Sequence, residues 1–299
     1  MKLELKNIEK AFGEKKVLTG VSFVAEAGKA FGLLGRNGAG KTTSIRILMN
    51  VFGADCGEVL LDGKPINYEK IGIGYLPEER GLYPKKRVID QLVYLAELKG
   101  LSHKDAVCAV DRWLLRLGMT EYRNKRLDTL SKGNQQKIQL ITALAHDPRI
   151  VILDEPFSGL DPVNAMLLKD VVREEIAKGK IVLFSSHQMS YIEEFCDSIA
   201  IIHKGTVVLT GDLKDIKHAY RRDKLVVQSP EADRILLDLG MQASRREDGA
   251  VLIRMPSPEA KREFMSRLAE KYEVDAVQVY EPSLNDIFVE YAGEEDLQK

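Results

Sequence analysis

The chain has 299 residues, enough for one large domain or a large and a small one, and is 44% hydrophobic and 30% charged, as globular proteins are. Its 44 basic and 45 acidic side chains give a formal net charge of −1, so there is no global basic field to recruit nucleic acid or an anionic membrane. Cys56, Cys108 and Cys196 are odd in number and form no Cys-x-x-Cys pair. That argues against a disulfide framework or a zinc site and for a reduced, cytoplasmic setting, with each cysteine a small buried apolar residue.

Met1 to Leu5 alternates charged and apolar residues and builds no signal-peptide core. Runs such as Ile150 to Leu153 or Ile199 to Ile202 fall far short of the roughly 20 apolar residues that span a bilayer. Strands and turns are expected first, with Val17 to Ala25 rich in β-branched residues. Ala30 to Leu34 is a short apolar run ending in a glycine-rich turn, followed by a helix with Ile45, Ile47, Leu48 and Met49 on its apolar face. Val88 to Lys99 and Lys104 to Leu117 read as amphipathic helices separated by Gly100, and Asn134 to Ala145 as another, stopped by Asp147-Pro148. Apolar strands at Ile150 to Leu153 and Ile181 to Phe184 alternate with helices, which predicts an α/β core with a largely parallel sheet.

Composition shifts after Gly211. Strand (Lys224 to Gln228), helix (Glu231 to Leu239), a hairpin turning at Glu247-Asp248-Gly249, helix (Pro258 to Lys271) and strand (Ala276 to Tyr280) follow in order. That βαββαβ order predicts a small ferredoxin-like α+β domain. A last helix, Ser283 to Tyr291, is expected to be capped by Ser283 with Asp286 three residues on. The expected division is therefore residues 1–215 and 216–299.

Gly35-Arg36-Asn37-Gly38-Ala39-Gly40-Lys41-Thr42 matches G-x-x-x-x-G-K-[ST]. Its glycines let backbone N–H groups converge on phosphate oxygens, Lys41 supplies positive charge to the β- and γ-phosphates, and the Thr42 hydroxyl can ligate Mg²⁺. Asn37, Gly38, Ala39, Gly40, Lys41, Thr42 and Thr43 are the expected phosphate contacts. Asp154 and Glu155 end an apolar strand side by side, where they would repel without a counter-charge or solvent. A nucleotide site supplies one: Asp154 is placed to hold Mg²⁺ directly or through water, and Glu155 to polarise the attacking water. The other reading is an exposed strand end feeding a turn at Pro156. His187 follows the next apolar strand and could donate to a γ-phosphate, or be structural. His103, His146, His203 and His218 fit no site pattern and read as surface or packing residues.

Leu130-Ser131-Lys132-Gly133-Asn134-Gln135-Gln136 resembles the LSGGQ signature of ATP-binding-cassette ATPases. Ser158-Gly159-Leu160-Asp161 looks like that family's D-loop, His187 matches its switch histidine, and the resemblance covers residues 1 to about 215. It implies a nucleotide-binding domain with an antiparallel β subdomain and a helical subdomain at about residues 85–145. It also implies ATP and Mg²⁺ as ligands, with Phe12 stacked on adenine and Val17 packed on ribose; core packing is the other reading for both. Two such domains, identical or related, would sandwich two ATP molecules, with Ser131, Gly133 and Asn134 of one reaching the γ-phosphate held by the other. The helix start after Asn134 would add its dipole there.

The signature departs from the family pattern at Lys132 and Asn134, where Gly and Gln are usual. In the segment Tyr75 to Pro84, Glu78 stands where the family has a glutamine touching Mg²⁺ and the attacking water; a solvated loop carboxylate is the other reading. Glu281 to Phe288 resembles the end of cassettes that serve separate exporter-type permeases, and LSKGN with the Glu78 loop looks most like the sodium-efflux branch, near drug exporters. The resemblance therefore implies an ATPase motor for an integral-membrane permease, peripheral on the cytoplasmic face of the membrane, with no nucleic-acid partner. Two alternatives stand beside it: a soluble cassette ATPase of translation or DNA repair, and a slow regulatory nucleotide switch.

Overall fold

Alternating inward residues such as Leu3, Leu5, Leu18 and Phe23 form the hairpin of β1 (Lys2–Phe12) and β2 (Lys15–Glu26). The structure is a computed structural model and describes residues 1–299 apart from Arg80, 158–159, His187, 220–222, 258–259 and 293–299. β3 (Ala30–Leu34) follows, buried throughout, and then α1 (Lys41–Leu48). β4 (Cys56–Leu61) and β5 (Lys64–Pro65) complete an antiparallel sheet of order β2-β1-β4-β5.

β6 (Ile73–Leu76) returns to the central sheet, and α2 (Val88–Leu98), α3 (His103–Arg116) and α4 (Lys132–Leu144) form the helical segment. Gly100, at φ +95°, takes the left-handed turn between α2 and α3 that a Cβ would strain. Ser102 caps α3 by accepting from the Asp105 N–H. β7 (Ile150–Asp154), α5 (Pro162–Ala177), β8 (Ile181–Ser185), α6 (Met189–Phe195), β9 (Ser198–His203) and β10 (Thr206–Asp212) follow. The central sheet has order β10-β9-β3-β8-β7-β6, parallel except for the antiparallel β10. Its inner strands read as unbroken apolar runs because both faces are covered. Phe23 of the first sheet stacks on Phe31 of β3, ring centroids 4.9 Å apart, within one core shared by the two sheets.

Two expectations need correction here. α4 starts at Lys132, two residues before the expected Asn134, because Ser131 caps it: its hydroxyl accepts from the Asn134 N–H at 3.3 Å. Only Cys196 is a buried cysteine. Cys56, at the start of β4, and Cys108, on α3, are exposed, since apolar character does not fix which face of an element a residue takes.

The chain divides into two compact units, the first holding Met1–Leu213 and the chain end from Phe288, the second Lys214–Ile287. α7 (Leu213–Ala219) leads into β11 (Lys224–Gln228), α8 (Ala232–Leu239), β12 (Ala243–Arg245), β13 (Val251–Arg254), α9 (Lys261–Lys271), β14 (Ala276–Val279) and α10 (Leu284–Ala292). The antiparallel sheet order β12-β13-β11-β14 is that of the ferredoxin-like fold. α9 starts at Lys261, and Pro258, where the helix was expected to begin, lies outside the described residues. Leu225, Val227, Ile235, Val251, Ile253 and Leu268 fill this unit's own core. At α10, Ser283 and Asp286 make the expected reciprocal cap, the Ser283 N–H donating to Asp286 at 2.8 Å and the Asp286 N–H to the Ser283 hydroxyl at 3.2 Å.

Candidate functional site

Parallel strands put their carboxyl ends on one edge, and there β3, β7 and β8 lie side by side. The glycine-rich loop after β3, the acidic pair after β7 and the loop after β8 therefore meet. A cavity of about 600 Å³ opens at this edge. Of the expected site residues, Val17, Asn37, Gly38, Gly40, Lys41, Thr42, Thr43, Glu78, Asp154 and Glu155 line it.

The loop is shaped by close approach. Gly40 has φ +117°, and a Cβ there would lie 2.5 Å from Leu18 Cδ2. Lys41 follows at the head of α1 and folds back, its Nζ donating to the Gly35 carbonyl at 2.6 Å and the Arg36 carbonyl at 3.3 Å. Burial pulls its ammonium below the ordinary lysine value, against the attraction of Glu155, Asp154 and Glu78. Ala39 is buried and does not line the cavity; its N–H donates to the Arg36 carbonyl at 3.0 Å. Arg36, Lys15, Lys16 and Lys204 also face the cavity, so with Lys41 its cations outnumber the carboxylates of Glu78, Asp154 and Glu155. With backbone N–H groups converging at a helix start, it suits a polyphosphate.

Asp154 is buried at the end of β7. Burial pushes its carboxyl above the ordinary value, opposed by hydrogen bonds that include the Tyr75 hydroxyl, which donates at 3.3 Å. Glu155 is also buried and takes φ +49°, a left-handed conformation that a non-glycine residue holds only at a cost. Its N–H donates to the Ser185 carbonyl at 2.8 Å, and its Oε2 accepts from the Ser186 hydroxyl at 3.0 Å. Phe157, next along, stacks on Tyr191 of α6, centroids 4.3 Å apart, and anchors the segment after the acidic pair. The exposed-turn reading of Asp154-Glu155 therefore does not hold.

Glu78 is exposed in the loop after β6. The carbonyls on either side of it, of Pro77 and Glu79, accept from Gln139 Nε2 of α4 at 3.2 and 3.0 Å. Thr42, Glu78 and Asp154 also border a second cavity of about 600 Å³, whose far wall includes Arg46, Tyr75 and Lys99. Thr42, Asp154 and Glu78 are hard oxygen donors that fit Mg²⁺. Among the described residues no group of three His, Cys, Asp or Glu is placed to cage a metal, so phosphate oxygens and water would complete its shell.

Besides Ala39, four expected contacts lie elsewhere. Ser131, Gly133 and Asn134 sit at the start of α4 and do not line the cavity. A Cβ on Gly133 would come within 3.0 Å of Asn164, whose N–H is held by the α5 cap Asp161 at 3.0 Å, so the signature packs on the segment after the D-loop. Phe12 is half-exposed and not in the cavity wall; it meets Phe52 edge-on, centroids 5.5 Å apart, which rules out simple core packing. It pairs across the hairpin with Lys15, the first residue of β2 and one of those facing the cavity. His187, Ser158 and Gly159 lie outside the described residues.

Comparison with known proteins decides the family. Residues 18–158 match the ABC transporter family model, and residues 211–292 match the C-terminal domain of DrrA1-3-like ATP-binding proteins. The chain is 43% identical over 294 residues to the uncharacterized ABC transporter ATP-binding protein YhaQ of Bacillus subtilis, covering 97% of this chain and 98% of that one. The chain belongs to the ATP-binding proteins of ABC transporters. It is related to Nod factor export ATP-binding protein I of Burkholderia lata, at 33% identity over 213 residues and 70% of each chain. A solved structure of an ATP-binding subunit of an ABC transporter superposes with a TM-score of 0.67 at 30% identity, over 74% of this chain and 93% of that one. The chain is thus an ATP-binding subunit with the ABC ATPase fold, and membership implies ATPase activity. Among the described residues no helix is long and apolar enough to cross a membrane.

Motifs do not point to every polar group of such a subunit. Tyr75, Gln139 and Ser186 each touch the acidic pair or the Glu78 loop, and none carries a signature of its own. A polar residue at a core-facing position of an apolar helix, as Gln139 is between Ile138 and Leu140, is the one signal that could have flagged it.

Proposed function

We propose that this chain hydrolyses ATP to ADP and phosphate as one half of an ATP-sandwich dimer that drives a separate integral-membrane permease of exporter type. The observation that carries the reading is the convergence of Lys41, Thr42, Glu78, Asp154 and Glu155 on one cationic cavity, with Ser131, Gly133 and Asn134 outside it. A signature that does not reach its own chain's phosphates suits one that serves a second chain's.

In this reading Asn37 to Thr43 bind and orient the triphosphate through backbone N–H groups, Lys41 and the Thr42 hydroxyl. Phe12 and Val17 take the adenosine end. Glu155 accepts the proton of the attacking water, whose oxygen displaces ADP from the γ-phosphorus. Lys41 and His187 stabilise the charge that develops on the γ-phosphate oxygens. Mg²⁺, held by Thr42 with Asp154 and Glu78 directly or through water, would supply electrostatic neutralisation of the phosphates. The buried Glu155 excludes bulk water on its protein side, and the partner's signature would close the other.

Residues 1–215 are proposed as the nucleotide-binding domain, with residues 85–145 as its helical segment and the stretch from Glu78 to Leu117 receiving the permease, and 216–299 as an accessory domain. The subunit would sit on the cytoplasmic face of the membrane through its permease. Export is favoured by the DrrA-like C-terminal match and by the Nod factor export relative; a sodium or drug cargo is the corresponding proposal, carried by the LSKGN and Glu78 spellings.

Two measurements test the reading. Glu155→Gln with ATP should elute as a dimer, wild type with ADP as a monomer, and capture of the trapped dimer from detergent-solubilised native membranes should bring down a multi-span protein. Reproducible recovery of ribosomal or DNA-bound partners without such a protein would overturn the transport assignment and leave only the ATPase.

A further inference from the structure

We propose that Ser186 is a positioning residue for Glu155, holding the carboxylate in the orientation from which it accepts the proton of the attacking water. The inference rests on Glu155 as the general base. The Ser186 hydroxyl is buried, with the residue 2% exposed, and makes two hydrogen bonds of 3.0 Å, one to Glu155 Oε2 and one from the Gln188 N–H. A hydroxyl carries one proton. Because the amide N–H of Gln188 can only donate, the Ser186 oxygen accepts there and its proton goes to Glu155. The direction of the bridge is thereby fixed.

Glu155 needs such a hold. It leaves β7 at φ +49°, and a strained backbone persists only where its surroundings over-determine it. The end of β8 and the residue after it supply both restraints: the Ser185 carbonyl accepts from the Glu155 N–H, and Ser186 binds the side chain. The bridge also ties the carboxylate to the backbone of Gln188, the residue before α6.

The test is a double-mutant cycle on the full chain. ATP turnover is measured for wild type, Ser186→Ala, Glu155→Gln and the double variant, using single-turnover release of labelled phosphate where rates are low. Ser186→Ala should lower kcat roughly ten- to a hundredfold, the range for a hydrogen bond to a charged group, and leave the KM for ATP within about twofold. In the Glu155→Gln background the same change should cost less than about twofold, because there is no base left to position. An unchanged kcat in Ser186→Ala, or an equal loss in both backgrounds, overturns the proposal. Wild-type turnover by Glu155→Gln alone would instead sink the base assignment. Ser186→Cys, similar in shape but a weak donor, runs through the same cycle, so folded protein from either variant decides.

Discussion

Asp154, at the cavity of the first unit, and the tied acids of the second unit are held in opposite ways. At the cavity of the first unit Asp154 is driven above its ordinary value by burial, Lys41 below its own, and Glu155 sits on a strained backbone. In the second unit the acids are tied down: Glu231 is lowered chiefly by the Glu273 N–H, Asp238 by Lys271 and Tyr272. Asp286 is lowered too, its bonds from Ser283 and Tyr280 outweighing the burial that opposes them. One region stores unfavourable electrostatics that a bound polyphosphate and cation would relieve, and the other spends its acids on caps and ion pairs. A strained backbone at Glu155 beside a buried acid raised by burial is what a site looks like.

Removing the base should have the largest effect. Glu155→Gln should lower kcat by roughly 10²- to 10⁴-fold with little change in ATP affinity, read by phosphate release and by nucleotide binding. Equal rates would place Glu155 with the tied-down acids of the second unit.

Glu78→Gln should act more mildly. It exchanges a hard anionic donor for a neutral one beside the phosphates, so half-saturating Mg²⁺ is expected to rise by about three- to tenfold while kcat at saturating Mg²⁺ falls by less than about threefold. A matching shift in Mn²⁺ affinity, followed by its paramagnetic resonance signal with ATP present, separates a ligand from a solvated loop carboxylate. An unchanged affinity would remove Glu78 from the metal set.

Asp154→Asn should act on stability. The amide keeps an acceptor for the Tyr75 hydroxyl and discards the charge that burial penalises. Without nucleotide its melting temperature should rise by about 2–4 °C, while ATPase activity is lost. A fall in melting temperature would mean that the charge is already compensated within the protein.

Sequence carried the frame of the site further than its fittings. β3, β7 and β8 were legible because buried parallel strands read as unbroken apolar runs, and the loops at their ends carry residue types with few other uses. The βαββαβ order likewise yields the observed ferredoxin-like sheet, since its hairpin turn and alternation are local signals. Less was visible where a partner is remote in the chain. Gln139 meets Pro77 and Glu79 across 62 and 60 positions, and Ser186 meets Glu155 across 31, so neither pairing leaves a periodic trace. α4 starts two residues before the expected Asn134 because Ser131, which the family resemblance assigns to a phosphate, caps the helix. Exposure of Cys56 and Cys108 depends on which face an element turns outward, a choice made by tertiary packing.

The smallest expected effect concerns the tied acids themselves. Asp286 is the partner of the Ser283 cap on α10, and Asp286→Ala removes the bonds its carboxylate accepts from Ser283 and Tyr280 while the backbone bond to the Ser283 hydroxyl stays. The loss of such a cap costs about 1 kcal/mol, which lowers the melting temperature of the full chain by about 2–4 °C at pH 7. Because the folded carboxyl lies below its ordinary value of 3.8, this contribution is fully present above that value. It is lost as pH falls through the depressed folded value, where the native carboxylate takes up a proton. The gap between wild type and Asp286→Ala should therefore hold from pH 7 to about 5 and narrow below about 4. Asp154, raised where Asp286 is lowered, should behave in the reverse sense: protonation relieves its burial, so the advantage of Asp154→Asn shrinks as pH falls through the raised value. Calorimetry of the three chains at pH 7, 5 and 3.5 reads both trends together. If the Asp286 gap stayed constant to pH 3.5, the charge of the Asp286 carboxylate would contribute nothing to the cap, and its contrast with Asp154 would fail.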